Sequence, residues 1–144
     1  MPNIRHSISI DALPESIQPL VATGHGFAQW WSQDVTEDPA TGTVEIGFFN
    51  RATVYRLQPV RDSQPGKVEW LCQSGEEWKG TRLWFEWACN DGRTQLRFTH
   101  ADWQAETEYF ISCTTVWGEL MFRLKATAEG KQPGPLFSTT GMAY

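Results

Sequence analysis

Cysteine, histidine and long apolar runs are all scarce in this sequence of 144 residues. The three cysteines, Cys72, Cys89 and Cys113, are widely spaced and form no C-x-x-C pair. That excludes a disulfide framework and the common zinc patterns, and leaves reduced thiols acting as small hydrophobes as the expected state. With only three histidines and no ligand spacing around them, no metal is expected. No apolar stretch approaches the ~20 residues of a membrane-spanning helix. Met1 to Ile10 alternates polar and apolar residues without the apolar centre of a secretory signal, so the cytoplasm is the expected compartment. Twelve basic residues against seventeen acidic ones give a net charge of −5, the wrong sign for a phosphate backbone, and nucleic acid is not an expected partner. G-x-G-x-x-G, P-loop, G-x-S-x-G and H-E-x-x-H motifs are all absent, which removes the nucleotide-dependent classes and leaves no cofactor in expectation.

Tryptophan is abundant instead. Eight occur in 144 residues, and a buried indole needs a partner for its N–H. Such a chain has either a very aromatic core or an aromatic-lined cavity. At 40% apolar and 20% charged residues the composition is that of a folded chain, and the length fits one domain spanning residues 1–144, with 131–144 as a C-terminal tail.

Periodicity orders the elements. Ile4, His6, Ile8 and Ile10 alternate with polar residues as a first strand. Two short helical pieces follow, Glu15–Ala22 and Gly26–Trp31, with Pro14 suited to the first turn and Pro19 inside it. From Gly42 the period is two: Val44, Ile46 and Phe48 alternate, and further strands are expected over Thr53–Val60, Lys67–Gln73, Gly80–Cys89 and Arg93–Trp103. Asn90-Asp91-Gly92 joins the last two as a hairpin, since these residues tolerate positive φ. If that hairpin is paired in register, Leu83, Phe85 and Trp87 share a face with Leu96, Phe98 and His100. Helical spacing then takes over. Phe110, Cys113, Thr114, Trp117, Leu120, Met121 and Leu124 recur every three or four residues, which predicts one long helix over about 107–129, ended by Gly130 and the Pro133-Gly134-Pro135 break. Leu136 and Phe137 are placed to pin the tail down. Strands and helices are segregated, so the fold class is α+β: a curved antiparallel sheet of about six strands gripping a long C-terminal helix, with two short helices after the first strand.

Six stretches, taken in order, resemble a known family. They are Trp30-Trp31, Trp70-Leu71-Cys72, Glu77-Trp78-Lys79-Gly80-Thr81, Thr94 to His100 running on to Trp103, Cys113 with Trp117, and Leu124-Lys125 leading to Glu129-Gly130-Lys131 and Pro133. The pattern resembles the bacterial proteins that are similar to the activator of heat-shock protein 90 ATPase, within the START-like (SRPBCC) superfamily. The resemblance spans nearly the whole chain. It implies the helix-grip fold and a space between sheet and helix.

Function is less determined, because one fold hosts carriers, receptors and enzymes. The expected ligand is a small hydrophobic or aromatic molecule held between the sheet and the long helix. Trp31, Trp70, Phe85, Trp87, Phe98, Phe110, Trp117 and Met121 would supply apolar area, and Tyr55, Cys72, His100, Cys113 and Thr114 the polar or polarisable contacts. The same rings would equally make a filled aromatic core. His100 points toward the helix by strand parity, either as an anchor or general base with Asp102 to orient it, or as a buried histidine that fixes the strand end. No catalytic residue is assigned, His100 being the candidate of an alternative cyclase or hydrolase reading. A third reading is a co-chaperone-like interaction module: Trp84 and the acidic residues on the outer parity offer a surface to a chaperone or to a second copy in a homodimer.

Overall fold

The computed structural model describes residues 1–61, 64–139 and 141–142. The chain opens with β1 (Ile4–Ile10) and continues through α1 (Pro14–Ala22) and α2 (Gly24–Trp30). Six strands follow: β2 (Asp34–Glu37), β3 (Val44–Phe48), β4 (Thr53–Pro59), β5 (Lys67–Cys72), β6 (Arg82–Asn90) and β7 (Arg93–Ala101). The long helix α3 (Glu108–Ala128) precedes a small ribbon of β8 (Phe137–Ser138) and β9 (Gly141–Met142). The main sheet is antiparallel with the order β1-β7-β6-β5-β4-β3-β2. The sheet thus has seven strands rather than about six. The addition is β2, four residues pairing with β3 at an edge, whose half-exposed Asp34-Val35-Thr36-Glu37 carries almost no hydrophobic alternation. Thr140, Ala143 and Tyr144 of the expected tail lie outside the described residues.

Local chemistry explains the boundaries. Asp91 and Gly92 have φ of 54° and 76°, the double left-handed turn that matches strand twist, and they set the register Leu83↔His100, Phe85↔Phe98 and Trp87↔Leu96. The Thr107 hydroxyl caps α3 by accepting from the Phe110 N–H at 3.2 Å. At the other end, Lys131 N–H bonds Ala126 C=O and Gly130 N–H bonds Thr127 C=O, with Gly130 at φ 91°, so the last carbonyls are satisfied as the helix stops. Three polar contacts lay α3 along β1. His6 Nε2 donates to the Thr114 carbonyl (3.2 Å), Lys125 Nζ to the Ser9 carbonyl (2.8 Å), and Asp11 N–H to Glu129 Oε2 (2.8 Å).

The tryptophans solve a problem that helix ends create. The last carbonyls of α1 have no partners within the helix. Trp30 Nε1 donates to the Leu20 carbonyl and Trp70 Nε1 to the Val21 carbonyl, both at 2.9 Å. The tail does the same for α2: Leu136 N–H bonds Trp30 C=O and Phe137 N–H bonds Trp31 C=O. Leu136 and Phe137 are both buried, so the tail is pinned as expected. Around these bonds Phe27, Trp30, Trp31, Trp70 and Phe85 pack ring on ring, with Phe27 at 5.2 Å from Trp31 and 5.3 Å from Trp70.

Such close packing of α1 on α2 needs Gly26. A Cβ there would fall 2.1 Å from the Pro19 carbonyl oxygen and 2.6 Å from the Leu20 Cα, both backbone atoms that cannot swing aside. Gly26→Ala is expected to destabilise the fold by at least ~2 kcal/mol. Gly118→Ala, in α3, meets only the edge of the His6 ring at 3.6 Å and should stabilise by ~0.5–1 kcal/mol through helix propensity. Chemical denaturation of the two variants beside the parent protein checks both signs.

Candidate functional site

A half-open cavity lies between the β3–β4 hairpin, the N-terminal half of α3 and the tail ribbon. Its volume is about 250 Å³. Strands β3 and β4 and the turn between them supply Phe48, Phe49, Thr53 and Tyr55. From α3 come Tyr109, Ser112, Cys113, Val116, Trp117 and Leu120, a stripe at three- and four-residue spacing. Trp31 and the β5–β6 turn residue Trp78 form the inner wall, and Phe137 and Met142 of the tail cover one side. None of these side chains carries a charge at neutral pH.

Flat rings define the wall. Tyr55 stacks on Trp78 with centroids 3.9 Å apart and planes 4° from parallel, and Trp78 is within 20° of parallel to Trp117 at 6.1 Å. Gly75 makes the first stack possible, because a Cβ at that position would lie 2.5 Å from the Tyr55 ring. The Tyr55 and Tyr109 hydroxyls hydrogen-bond each other, linking β4 to the first turn of α3. Burial pushes the Tyr55 phenol up to about 12, and raises Tyr109 and the Cys113 thiol as well, Tyr109 further through its bond to Tyr55. All three groups are neutral at pH 7.

Behind the wall runs a chain of hydrogen bonds whose direction is fixed. Trp117 Nε1, which can only donate, donates to His100 Nδ1 at 3.2 Å. His100 Nδ1 is then the acceptor and Nε2 carries the proton, donating to Thr81 Oγ1 at 2.9 Å. The Thr81 hydroxyl donates in turn to the Trp78 carbonyl. His100 is fully buried, and burial pulls its pKa down to about 3. Both ring nitrogens are occupied by the protein, so neither is presented to the cavity. Asp102 does not orient this histidine: half-exposed at a φ of 70°, it approaches Arg82 Nε at 4.0 Å instead.

Of the thirteen residues singled out by sequence, Trp31, Tyr55, Cys113 and Trp117 line the cavity. Phe98 packs behind Trp117 at 4.2 Å, and Trp70 and Phe85 belong to the ring cluster around Phe27. Cys72 is buried with its thiol donating to the Ser74 carbonyl, and burial pushes its pKa up to about 11. Phe110 packs edge-on against Trp103, and Met121 is buried within the core. Thr114 turns its hydroxyl back to the Phe110 carbonyl, on the β1 side of the helix. Trp87 keeps the inner parity but sits at the far end of its hairpin, in a separate surface groove near Pro14 and Gln18 of α1. Trp84 is half-buried rather than exposed: its Nε1 donates to Glu86 at 3.0 Å and Lys67 Nζ lies 4.7 Å over its ring.

Of the lining residues that sequence reasoning did not assign to the site, Phe48 and Leu120 sit on the regular patterns of β3 and α3, and others sit off any pattern. Trp78 lies in a turn, where no periodicity marks it, although it falls within one of the stretches that carry the family resemblance. Tyr109, Ser112 and Val116 form the flank of the helical stripe, and their mixed polarity reads as an outer face. Phe49 is one of three consecutive left-handed residues, Phe49-Asn50-Arg51, with φ of 53°, 57° and 67°. Arg51 fastens that turn with a fork onto Asp34 at 3.0 and 3.2 Å.

No protein-family model matches the chain, and no curated protein matches it. Solved structures do. The solution structure of the Aha1 dimer from Colwellia psychrerythraea is 28% identical, with 90% of this chain and 98% of that chain covered at a TM-score of 0.76. A START superfamily protein from Mycobacterium smegmatis, 12% identical, aligns over 89% of this chain and 94% of that one at a TM-score of 0.61. The chain has a START-like, Aha1-like fold. A Bacillus halodurans protein shares it at 17% identity, over 90% and 98% of the two chains, with a TM-score of 0.69. In this START-like frame the cavity occupies the space between the sheet and the gripped helix. Among the described residues no helix is long and apolar enough to cross a membrane, and no cluster of His, Cys, Asp or Glu could hold a metal ion.

Neutral His100 ties stability to pH. The unfolded chain takes up a proton near pH 6.5 that the folded chain refuses until about 3, so stability is full above pH 6.5 and falls with acid between those values. The slope is ~1.4 kcal/mol per pH unit for this one group. Denaturation at pH 6.5 and pH 5, above the range where most carboxylates titrate, should show that loss, and His100→Gln should reduce it while lowering stability at pH 7.

Proposed function

We propose that this protein is a single-domain module, spanning residues 1–144, that binds a small hydrophobic or aromatic molecule in the cavity between the β3–β4 hairpin and α3. The cavity itself carries the reading. A half-open cavity of about 250 Å³ with a mostly aromatic lining and no charged side chain is a space that an apolar ligand fills at little desolvation cost. Trp31, Tyr55, Cys113 and Trp117 are the contacts also expected from sequence, and Trp78 and Tyr109 join them. His100 acts in this reading as the support of Trp117, and its two engaged nitrogens favour binding over acid–base catalysis. The three free thiols are in keeping with a reducing, cytoplasmic setting.

A second reading concerns self-association. The Colwellia structure is of a dimer, and α3 here turns Ile111 and Phe122, 54% and 64% exposed, away from the sheet. A homodimer through this helix face is the corresponding proposal. Sedimentation of the parent protein and Phe122→Glu tests it: a dimer that the substitution splits supports it, and a monomeric parent removes it.

The ligand test is thermal unfolding against aromatic and lipid-like compounds, followed by tryptophan fluorescence. A true ligand at 100 times its Kd should stabilise the fold by ~2.7 kcal/mol and raise Tm by several degrees. Val116→Trp, which fills the cavity from the helix side, should fold and lose that response. A shift that persists in Val116→Trp would move the site elsewhere, and no shift with any compound class would count against a ligand site.

A further inference from the structure

Besides the Thr53 and Ser112 hydroxyls, four polar groups of the cavity gather in one corner, and each brings a hydrogen. The Tyr55 and Tyr109 hydroxyls, the Cys113 thiol and the Trp78 indole N–H lie together there, whereas the remaining wall is almost entirely rings and aliphatic groups. Tyr55 and Tyr109 share one hydrogen bond, and the Tyr109 hydroxyl also lies beside the Cys113 thiol. Trp78 Nε1 is buried, on a residue only 4% exposed, and has no hydrogen-bond partner. It faces the Cys113 sulfur closely enough to favour its thiolate form, yet without the geometry of a formed bond. Trp30, Trp70 and Trp117 have their N–H groups satisfied by protein atoms, whereas Trp103, packed behind the wall against His100, shares with Trp78 an unmet indole N–H. Of the two, Trp78 is the one at the cavity wall, where a ligand can meet a donor whose burial without a partner costs ~1–3 kcal/mol.

We propose that the cavity recognises an uncharged, planar aromatic compound of one or two rings that carries a hydrogen-bond acceptor, a carbonyl oxygen or a ring nitrogen, directed at the Tyr55–Tyr109–Trp78 corner. This rests on the reading of the cavity as a ligand site and adds the chemistry of its occupant. Size sets the ring count: a cavity of about 150 Å³ accommodates benzene, so 250 Å³ suits two fused rings. Planarity follows from the near-parallel Tyr55, Trp78 and Trp117 rings, on which a flat molecule stacks. Neutrality follows from a lining without a cation and from the Glu77 carboxylate, which is near enough to act on Tyr55 and Cys113. An anion entering here would lose its hydration and meet that charge. Rotation of the Cys113 side chain uncovers the Trp78 N–H for the acceptor.

The experiment compares naphthalene, its ring-nitrogen isostere quinoline, the carbonyl compound chromone and the anion 1-naphthoate at pH 7.5. Binding is read by fluorescence and by the indole N–H resonances of the ¹⁵N-labelled protein, with Trp78 assigned through Trp78→Phe. The expected result is that quinoline or chromone binds ~tenfold tighter than naphthalene, and that the Trp78 N–H resonance moves downfield with them alone. Tyr109→Phe, which keeps the ring and removes one donor of the corner, should shrink the ratio of quinoline to naphthalene affinity. Equal affinity for naphthalene and its acceptor-bearing analogues overturns the inference and leaves the cavity as a general apolar site. Preferred binding of 1-naphthoate overturns it too. If none of the four binds, the inference falls together with the ligand-site reading.

Discussion

The chain of hydrogen bonds from Trp117 through His100 and Thr81 to the Trp78 carbonyl joins the three parts of the molecule that meet at the cavity. Trp117 belongs to α3, His100 to β7, and Thr81 and Trp78 to the β5–β6 turn. Each member fixes the next, because an indole can only donate and a neutral imidazole must then donate from its other nitrogen. Every polar atom in the series is satisfied, in a region where a single unmet one would be costly. That is how a fully buried histidine is tolerated. It also explains why the ring remains uncharged at physiological pH: protonating Nδ1 would set two donors against each other with no water to relieve them.

Two other uses of tryptophan build outward from this core. Trp30 and Trp70 close the carbonyl end of α1, and the tail closes that of α2, so the short helices are held at their weak ends by side chains and by chain from distant parts of the sequence. With helix ends, sheet and α3 all tied into one set of rings, the wall of the cavity is the surface of a rigid aromatic block. The cavity lies where this block stops, on the side where β3, β4 and the tail ribbon replace it. Small residues allow that boundary. Gly75 admits the Tyr55 ring beside Trp78, and no charged side chain lines the space beyond.

Most of the fold was legible in the sequence because its elements are carried by strong, local signals. The alternation in β1 and β3, the Asn90-Asp91-Gly92 turn and the stripe from Phe110 to Leu124 each need only a short window to be read. What escaped notice lacked such a window. Strand β2 is an edge with one polar run, and its pairing with β3 is a tertiary event. The site was less legible for the same reason. Parity correctly puts Phe98 and Phe85 on the inner face, but the inner face is deeper than the cavity, and both lie behind Trp117 or among the Phe27 rings. Trp87 shows the converse, sharing their parity while lying in the groove beside α1. Thr114 follows the helical stripe in number but its hydroxyl is consumed by the helix backbone, a common fate of threonine within helices. Trp78, in contrast, has no periodic neighbour at all, and only the fold brings it to the wall.

Because Trp117 and Trp78 are at once cavity wall and ends of the buried hydrogen-bond chain, filling the cavity and holding the fold are not separate tasks. A molecule stacked on Trp78 presses on the residue whose carbonyl terminates the series, and contact with Trp117 bears on the residue that begins it. Packed interiors are stiff, so such contacts are felt by His100 and through it by β7 and β6. The polar corner sits at the opposite side of the same rings, where Tyr55 and Tyr109 bridge sheet and helix at the cavity's more open margin. The aromatic block thus carries the satisfied Trp117–His100–Thr81 series behind the wall and the unmet Trp78 N–H at the wall itself. That unmet donor at the wall, more than the volume of the space, is the feature on which the proposed ligand site rests.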